Sequence, residues 1–415
     1  LTTKLSDARD PYAALRFRDL RLLLTGRFIT NFTSQMVSFA IAWELWLRTH
    51  SAFALGLVGL VQVIPVILLS LPGGHVADKF DRKRTVAITQ SLLALCSLSL
   101  ATLSFFQGPL ALIYLCLLGI GVSRAFNDPA SSTLLPATVP PNLFASAATW
   151  DSSISQIAAI LGPALAGGLV ALLDRVTLIY VVDALGALTF LILVSRVKGR
   201  PMALSPQANT LESLKEGVRF VRSEKVILAA ITLDMFAVLL GGAVALLPIY
   251  ATDILRVGPQ GLGLMRAAPS IGALIMALIQ AHLPPFQRAG RTLLVAVTGF
   301  GLATIVFGLS TAFWLSIAML ILLGGLDNIS VVIRRTLILT RTPDELRGRI
   351  SAVNSIFIGA SNELGGFESG LTAGLFGPVL SVAGGGIGTI LVVVAVVLIW
   401  PEMRALRSLE VQEQT

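Results

Sequence analysis

A chain of 415 residues that is 55% hydrophobic, only 13% charged and of mean hydropathy +0.83 is too apolar for a soluble protein, since soluble domains carry about 25% charge. The net charge of +8 points to nucleic acid only until the basic residues are placed, and two cysteines, Cys96 and Cys116, both inside apolar runs, make no disulfide framework. There is no Gly-x-x-x-x-Gly-Lys-Ser/Thr loop and no metal-spaced His or Cys cluster, so neither a cofactor, a metal nor an enzyme is expected.

The first 20 residues are charged and lack the apolar core and cleavage site of a signal peptide. Twelve helices are then expected, each near the roughly 20 residues that cross hydrocarbon: 20–47, 54–73, 85–106, 109–136, 143–173, 176–195, 226–252, 259–281, 291–309, 312–337, 345–374 and 378–400. Turn residues separate them, as in Gln107-Gly108-Pro109, Val139-Pro140-Pro141-Asn142, Val257-Gly258-Pro259 and Thr342-Pro343-Asp344. Between helices 2 and 3, the stretch 73–84 holds six charges: Asp78, Lys79, Asp81, Arg82, Lys83 and Arg84.

Basic residues orient the chain. With both termini in the cytoplasm, 25 of the 31 Lys and Arg fall on the inner side, including five between Arg334 and Arg349. Three (Arg48, Arg175 and Arg256) fall at outer ends, and three (Arg27, Arg124 and Arg266) inside the membrane. Retention of positive charge on the inner face thus accounts for the net charge without nucleic acid.

The chain also repeats itself. Thr133-Leu134-Leu135, Pro140 and Leu143 align with Thr336-Leu337-Ile338, Pro343 and Leu346 at a constant offset of 203, and Gly167 falls against Gly370. Helices 4 and 5 therefore match helices 10 and 11. The domains expected are an N-terminal bundle over 1–195, a cytoplasmic linker with an amphipathic helix over 196–225, and a C-terminal bundle with a short tail over 226–415.

Four motifs carry a resemblance: Arg27-Phe28-Ile29, the loop Ala77-Asp78-Lys79-Phe80-Asp81-Arg82-Lys83-Arg84, Ser213-Leu214-Lys215-Glu216-Gly217-Val218-Arg219-Phe220, and Thr340-Arg341-Thr342-Pro343-Asp344-Glu345-Leu346-Arg347-Gly348-Arg349-Ile350. Through them the chain resembles, over essentially its whole length, the major facilitator branch that contains the enterobactin (siderophore) exporter and macrolide efflux pumps. The resemblance implies an all-α membrane protein of twelve transmembrane helices in two six-helix bundles related by pseudo-two-fold symmetry. It implies a secondary active transporter of the bacterial inner membrane: a proton-coupled exporter of an amphipathic small molecule, a siderophore or drug-like compound, working as a monomer by alternating access. Its expected partners are the substrate, protons and membrane lipid. A lysophospholipid flippase and a non-transporting sensor stand as alternatives.

Helix 5 carries Gly162, Pro163, Gly167 and Gly168, similar to the Gly-Pro motif of antiporters; the same small residues also serve close helix packing. By resemblance, the loop with Gly74, Asp78, Lys79, Asp81, Arg82 and Lys83 is a conformational latch, Asp78 facing the N-terminus of helix 11, whose partial positive charge attracts a carboxylate. The plain alternative is a loop that only enforces topology.

Ionisable residues inside a membrane are costly and mark paths or partners. On helix 1, Arg27, Asn31 and Gln35 recur every four residues and share a face. With Arg124 and Asn127 on helix 4, Gln156 on helix 5, Asp234 on helix 7, Asp327 and Asn328 on helix 10, and Asn362 on helix 11, they are the substrate-path candidates. Arg124 and Asp128, at i and i+4, read equally as an ion pair or as part of the site. Proton coupling needs a carboxylate that is neutral in one state and charged in another. Asp128 and Glu363 are the candidates, Glu363 with Arg266 as its partner, and a permanent ion pair is an equal reading. Glu44 and Glu368 are expected near outer ends, in solvent.

Overall fold

A computed structural model describes residues 12–198, 210–284 and 286–406. The side chains of residues 70, 71, 75, 77, 78, 210–214, 344, 345, 348, 351, 352, 355 and 356 lie outside the described set. The described residues form helices and connecting turns, with no strand among them. The long helices are α1 Arg18–Thr49, α2 Ala52–Lys79, α3 Arg82–Phe105, α4 Leu110–Ser132, α5 Phe144–Leu173, α6 Thr177–Arg196, α7 Lys225–Leu240, α8 Gly258–His282, α9 Ala289–Leu309, α10 Phe313–Arg341, α11 Asp344–Phe376 and α12 Pro378–Ile399. A linker helix, Thr210–Ser223, precedes α7.

Among the described residues, ten helical segments are long and apolar enough to cross a membrane. The two long helices outside that set are α1 and α11, of 32 and 33 residues. Their length suffices, but polar residues dilute their hydropathy: Asn31, Gln35 and Glu44 on α1, and Asn354, Asn362, Glu363 and Glu368 on α11. An average over a window cannot separate a helix with one polar stripe from a helix that is polar all round.

Sequence and structure differ most in the seventh segment, expected as one helix over 226–252. It stops at Leu240, turns through Gly241-Gly242 into a short 3₁₀ stretch, Ala243–Leu246, and ends in a π-helical turn, Tyr250–Ile254. The glycines permit two close approaches. A Cβ on Gly241 would lie 2.6 Å from the ring of Phe300 on α9, and one on Gly242 would lie 2.5 Å from the carbonyl oxygen of Gly365 on α11. Pro248 then removes a backbone donor from the remainder.

The chain packs as two compact units. One comprises Leu1–Val37, Leu69–Ala159 and Thr177–Pro206; the other comprises Ser38–Leu68, Ile160–Val176 and Gln207–Thr415. Helices α1, α2 and α5 thus pass from one unit to the other partway along their length. In the first unit Leu23, Val86, Ala130, Leu134, Phe190 and Val194 form a buried cluster. In the second, Val226, Leu233, Leu293, Val297, Ile333, Leu337 and Val396 join α7, α9, α10 and α12. Outward-facing leucines such as Leu172 and Leu398 remain 83% and 75% exposed. Such a wall is a liability in water and the natural surface against lipid.

Helix boundaries extend the repeat. The starts of α1 and α7, at Arg18 and Lys225, are offset by 207, and the starts of α4 and α10, at Leu110 and Phe313, by 203. α5 and α11 end at Leu173 and Phe376, again 203 apart. Two glycine contacts in the second unit obey both offsets. A Cβ on Gly56 of α2 would meet the Gly370 Cα of α11 at 3.0 Å, and one on Gly167 of α5 would meet the Gly263 Cα of α8 at the same distance. Gly167 matches Gly370 by 203, and Gly56 matches Gly263 by 207. Small residues let these backbones touch.

Candidate functional site

A concentration of polar side chains around open space lies in the first unit. A cavity of about 170 Å³ is lined by Arg27, Thr30 and Asn31 of α1, Asn127, Asp128 and Ser131 of α4, Asp151 and Ser155 of α5, and Phe190 of α6. Helical spacing puts them there: Arg27, Thr30 and Asn31 share a face, as do Asn127, Asp128 and Ser131, and as do Asp151 and Ser155. Arg27 is the hub. Its Nη1 lies 2.6 Å from Asp151 Oδ1, and its Nε donates to Ser131 Oγ at 3.2 Å. Asn31 Nδ2 donates to Ser155 Oγ at 3.1 Å, and Ser155 in turn donates to the Asp151 carbonyl at 2.9 Å. Asn127 Oδ1 accepts from Thr89 Oγ1 and Gln90 Nε2 at 3.2 and 3.3 Å, which fixes its amide from behind. Side-chain exposures of 16% for Arg27 and 24% for Asp151 leave the pair reachable from the cavity. An ion pair with open space beside it retains donor and acceptor capacity for a ligand.

Of the residues expected along a substrate path, the cavity brings together Arg27, Asn31 and Asn127, and with them Asp128. Gln35 lies two turns beyond Arg27 on α1 and Gln156 one residue past Ser155, both outside the lining. Arg124 sits one turn before Asp128, where its Nη2 reaches Ser34 Oγ of α1 at 3.4 Å. Asp151, Thr30, Ser131, Ser155 and Phe190 are not among the residues expected along the path. Asp151 could have been found by asking which acid balances Arg27. The serines give no such signal, because serine is common wherever membrane helices pack.

The other candidates lie in the second unit. Asp234 of α7 forms an ion pair with Arg334 of α10 and accepts a hydrogen bond from Ser330 Oγ at 3.2 Å. Arg334 is 2% exposed. Counting it among the inner-loop basic residues was therefore mistaken: it sits seven residues inside the end of α10 and neutralises an acid. Asp327 lies two turns before it, and Asn328 has a buried Oδ1 with no hydrogen-bond partner among the described residues. Asn362 Nδ2 donates to the Ile358 carbonyl at 2.9 Å, within its own helix. Glu363 packs on Gly59 of α2, where a Cβ would lie 3.4 Å from its Oε2. Arg266 Nη1 donates to Ser38 Oγ at 3.0 Å. Glu44, expected in solvent, is 6% exposed and paired with Arg48 one turn on.

The charged stretch expected as a loop over 73–84 is mostly helical: α2 runs on to Lys79 and α3 begins at Arg82, which leaves Phe80-Asp81 as the turn. Asp81 caps α3, its Oδ1 accepting from Lys83 N at 2.9 Å. Arg82 Nη1 reaches the Thr133 carbonyl at the end of α4 at 3.5 Å, and Lys83 Nζ donates to the Val197 carbonyl and, at 2.9 Å, to that of Lys198 after α6. These cations meet the negative ends of two helices. Lys79 is exposed and Gly74 has open space around it; the side chain of Asp78 lies outside the described residues. In the linker, Glu216 pairs with Arg349 at the start of α11. Of the glycine motif, Gly167 makes the contact with Gly263 described above, the carbonyl of Pro163 would lie 2.6 Å from a Cβ on Gly263, Gly162 is buried, and Gly168 faces open space.

Comparison with known proteins places this geometry in context. The transmembrane secretion effector family matches residues 9–414. An enterobactin exporter, EntS, of Citrobacter koseri is 26% identical over 389 residues, spanning 94% of this chain and 93% of that protein. Among solved structures, a POT peptide transporter superposes with a TM-score of 0.75 at 13% identity, over 94% of this chain and 96% of that one. A bacterial homologue of the human lysosomal transporter Spinster gives 0.69 at 15%, over 96% and 97%.

Proposed function

Given that the chain belongs to the transmembrane secretion effector family of the major facilitator superfamily, a family of membrane transporters and not of enzymes, we propose that it exports an amphipathic small molecule across the bacterial inner membrane, driven by proton entry. The cargo class is a siderophore with vicinal hydroxyl or hydroxamate groups, and the curated enterobactin exporters support that choice.

The carrying observation is the Arg27–Asp151 pair bordering a polar cavity. A cavity of about 170 Å³ holds one polar arm of such a molecule rather than the whole of it. Arg27 and the Asn31 amide would donate to its oxygens. Asp128, Asp151 and the serine hydroxyls would accept from its hydroxyls, and Phe190 would meet a ring. A ligand oxygen competing for Arg27 would loosen the Arg27–Asp151 bond, giving substrate a differential grip on the two conformations of the cycle.

In the same reading the chain is a monomer with both termini cytoplasmic and two six-helix halves, 1–195 and 226–415, that rock about the site. The α2–α3 junction, with Gly74, Asp78, Lys79, Asp81, Arg82 and Lys83, latches the inner side. By sequence the carriers offered for the coupling proton are Asp128 and Glu363, the latter with Arg266. The test is intracellular accumulation of enterobactin in a strain deleted for its own exporter and complemented with this chain. Export that is abolished by a proton uncoupler and by Arg27→Ala supports the reading. Accumulation unaffected by the chain, for enterobactin and for hydroxamate siderophores alike, overturns it.

A further inference from the structure

The internal repeat assigns every lining residue of the N-terminal cavity a counterpart in the second unit. By the offsets of 207 and 203, Arg27 corresponds to Asp234, Ser131 to Arg334 and Arg124 to Asp327. The contact between positions 27 and 131 is kept as the contact between 234 and 334, but the arginine has moved to the opposite helix. The charge inventory changes with it. Around the cavity, Arg27 and Arg124 balance Asp128 and Asp151. In the second unit the single cation Arg334 faces two acids, Asp234 and Asp327.

The two acids are not equivalent. Asp234 is paired with Arg334 and accepts from Ser330 Oγ at 3.2 Å. Asp327 makes no hydrogen bond or ion pair among the described residues. It shares a face of α10 with Ser330 and Arg334, three and seven positions on. The charged groups that this face brings towards it are Arg334 on its own helix and, held by Ser330 and Arg334, Asp234 of α7. Of the other helices packed on α10, α8 carries Arg266, which donates to Ser38, and His282 at its inner end. α9 carries Arg291, and α11 carries Glu363 and Glu368. None of these makes a hydrogen bond or ion pair with Asp327 among the described residues. Arg334, 2% exposed, has a buried Nε with no hydrogen-bond partner among the described residues. A spare donor and a spare acceptor therefore sit on one helix face, in a cluster short of one positive charge.

We propose that Asp327 binds the coupling proton, and that Asp234–Arg334 is the ion pair its charge perturbs. This rests on the reading of the chain as a proton-driven exporter. With a proton on Asp327 the cluster is neutral and Asp234 holds Arg334 alone. When the proton leaves, the new carboxylate competes with Asp234 for Arg334 and finds the unused Nε. Asp327 is half-buried, and an anion without a partner inside a membrane is costly, so the helices carrying the three groups must shift with each proton bound or lost.

The test uses the purified full-length chain in liposomes loaded with enterobactin, with efflux compared in the presence and absence of an imposed pH gradient. In parallel, the carboxylic C=O stretch is followed by pH-difference infrared spectroscopy. Asp327→Asn is expected to lose one carboxylic component and all stimulation of efflux by the gradient. Asp327→Glu, which retains an acid, should keep the stimulation and shift the component, a result that merely structural damage would not give. If Asp327→Asn keeps the wild-type stimulation and spectrum, the assignment of Asp327 falls while the export reading stands. If wild-type efflux occurs but ignores the gradient, this inference and the proton-driven part of the export reading fall together. If the wild type moves no enterobactin in liposomes yet its carboxylic component vanishes in Asp327→Asn, the proton site stands and the cargo is wrong.

Discussion

Each copy of the repeat holds an arginine ion pair, both built on the matched positions 27 and 234, and the two are treated oppositely. In the first unit the Arg27–Asp151 side chains are 16% and 24% exposed beside an open cavity, whereas in the second the Arg334–Asp234 side chains are 3% and 7% exposed. The surroundings explain the difference. Thr30, Asn31, Asp128, Ser155 and Phe190 line the cavity; their counterparts are Ala237, Val238, Val331, Ile358 and Val393, while Asn127 and Asp151 keep polar counterparts in Ser330 and Asn354. Polar side chains keep space open for hydrogen-bonding ligands or water, while aliphatic ones close over the pair and leave it dry. One scaffold thus provides a wet site and a sealed one, which suits a machine needing a substrate pocket and a charge-sensitive element.

The comparison can be broken most severely at the sealed pair. Arg334→Met strands Asp234 as a buried anion, and loss of one partner of such a pair costs about 3–5 kcal/mol. Thermal unfolding in detergent should show a large fall in midpoint, mostly restored by adding Asp234→Leu. The glycine seam comes next. Gly167→Leu would drive a side chain into the Pro259 carbonyl, which lies 2.4 Å from an ideal Cβ. Overpacking of this kind costs about 1–3 kcal/mol; the matching change at Gly168, which faces open space, should be close to neutral in the same assay.

At the wet pair the expected order reverses between stability and function. Arg27→Ala leaves Asp151 partly solvated, so the loss should be about 1–2 kcal/mol, between the surface and buried limits. Export should nevertheless vanish in the accumulation assay. The smallest effect belongs to the exposed Lys225–Glu402 pair, 2.9 Å apart. The hydrogen bond from Lys225 holds the Glu402 carboxyl below its usual 4.5. Its contribution is therefore present above the ordinary glutamate range and lost as the pH falls through the lowered folded value. Glu402→Gln should leave the melting midpoint unchanged within error at neutral pH, and only slightly less sensitive to acid.

Much of this was legible beforehand, for identifiable reasons. Apolar length gave the helices, since a span needs about 20 residues whatever its partners, and Arg27 with Asn31 announced a polar face of α1 by spacing alone. The break after Leu240 was not legible, because it depends on Phe300 and Gly365 approaching two glycines from other helices. Arg334 was misplaced because a basic residue near a helix end looks the same in sequence whether it enters the cytoplasm or turns inward to an acid 100 positions earlier. The pocket serines were invisible for a related reason: their role is set by the neighbours facing them, and sequence spacing reports only the helix they sit on.

The central claim is that the N-terminal cavity, and not its sealed counterpart, receives the cargo. The most direct measurement gives the cavity two residues of the counterpart. Asn31→Val with Ser155→Ile removes both members of one hydrogen bond, which is close to neutral for stability when both partners become apolar, and makes the wet site resemble the dry one. Binding of enterobactin to the purified double variant should fall at least about tenfold, a loss of about 1.4 kcal/mol, with the melting midpoint little changed. Wild-type affinity in a normally folded double variant would contradict the account.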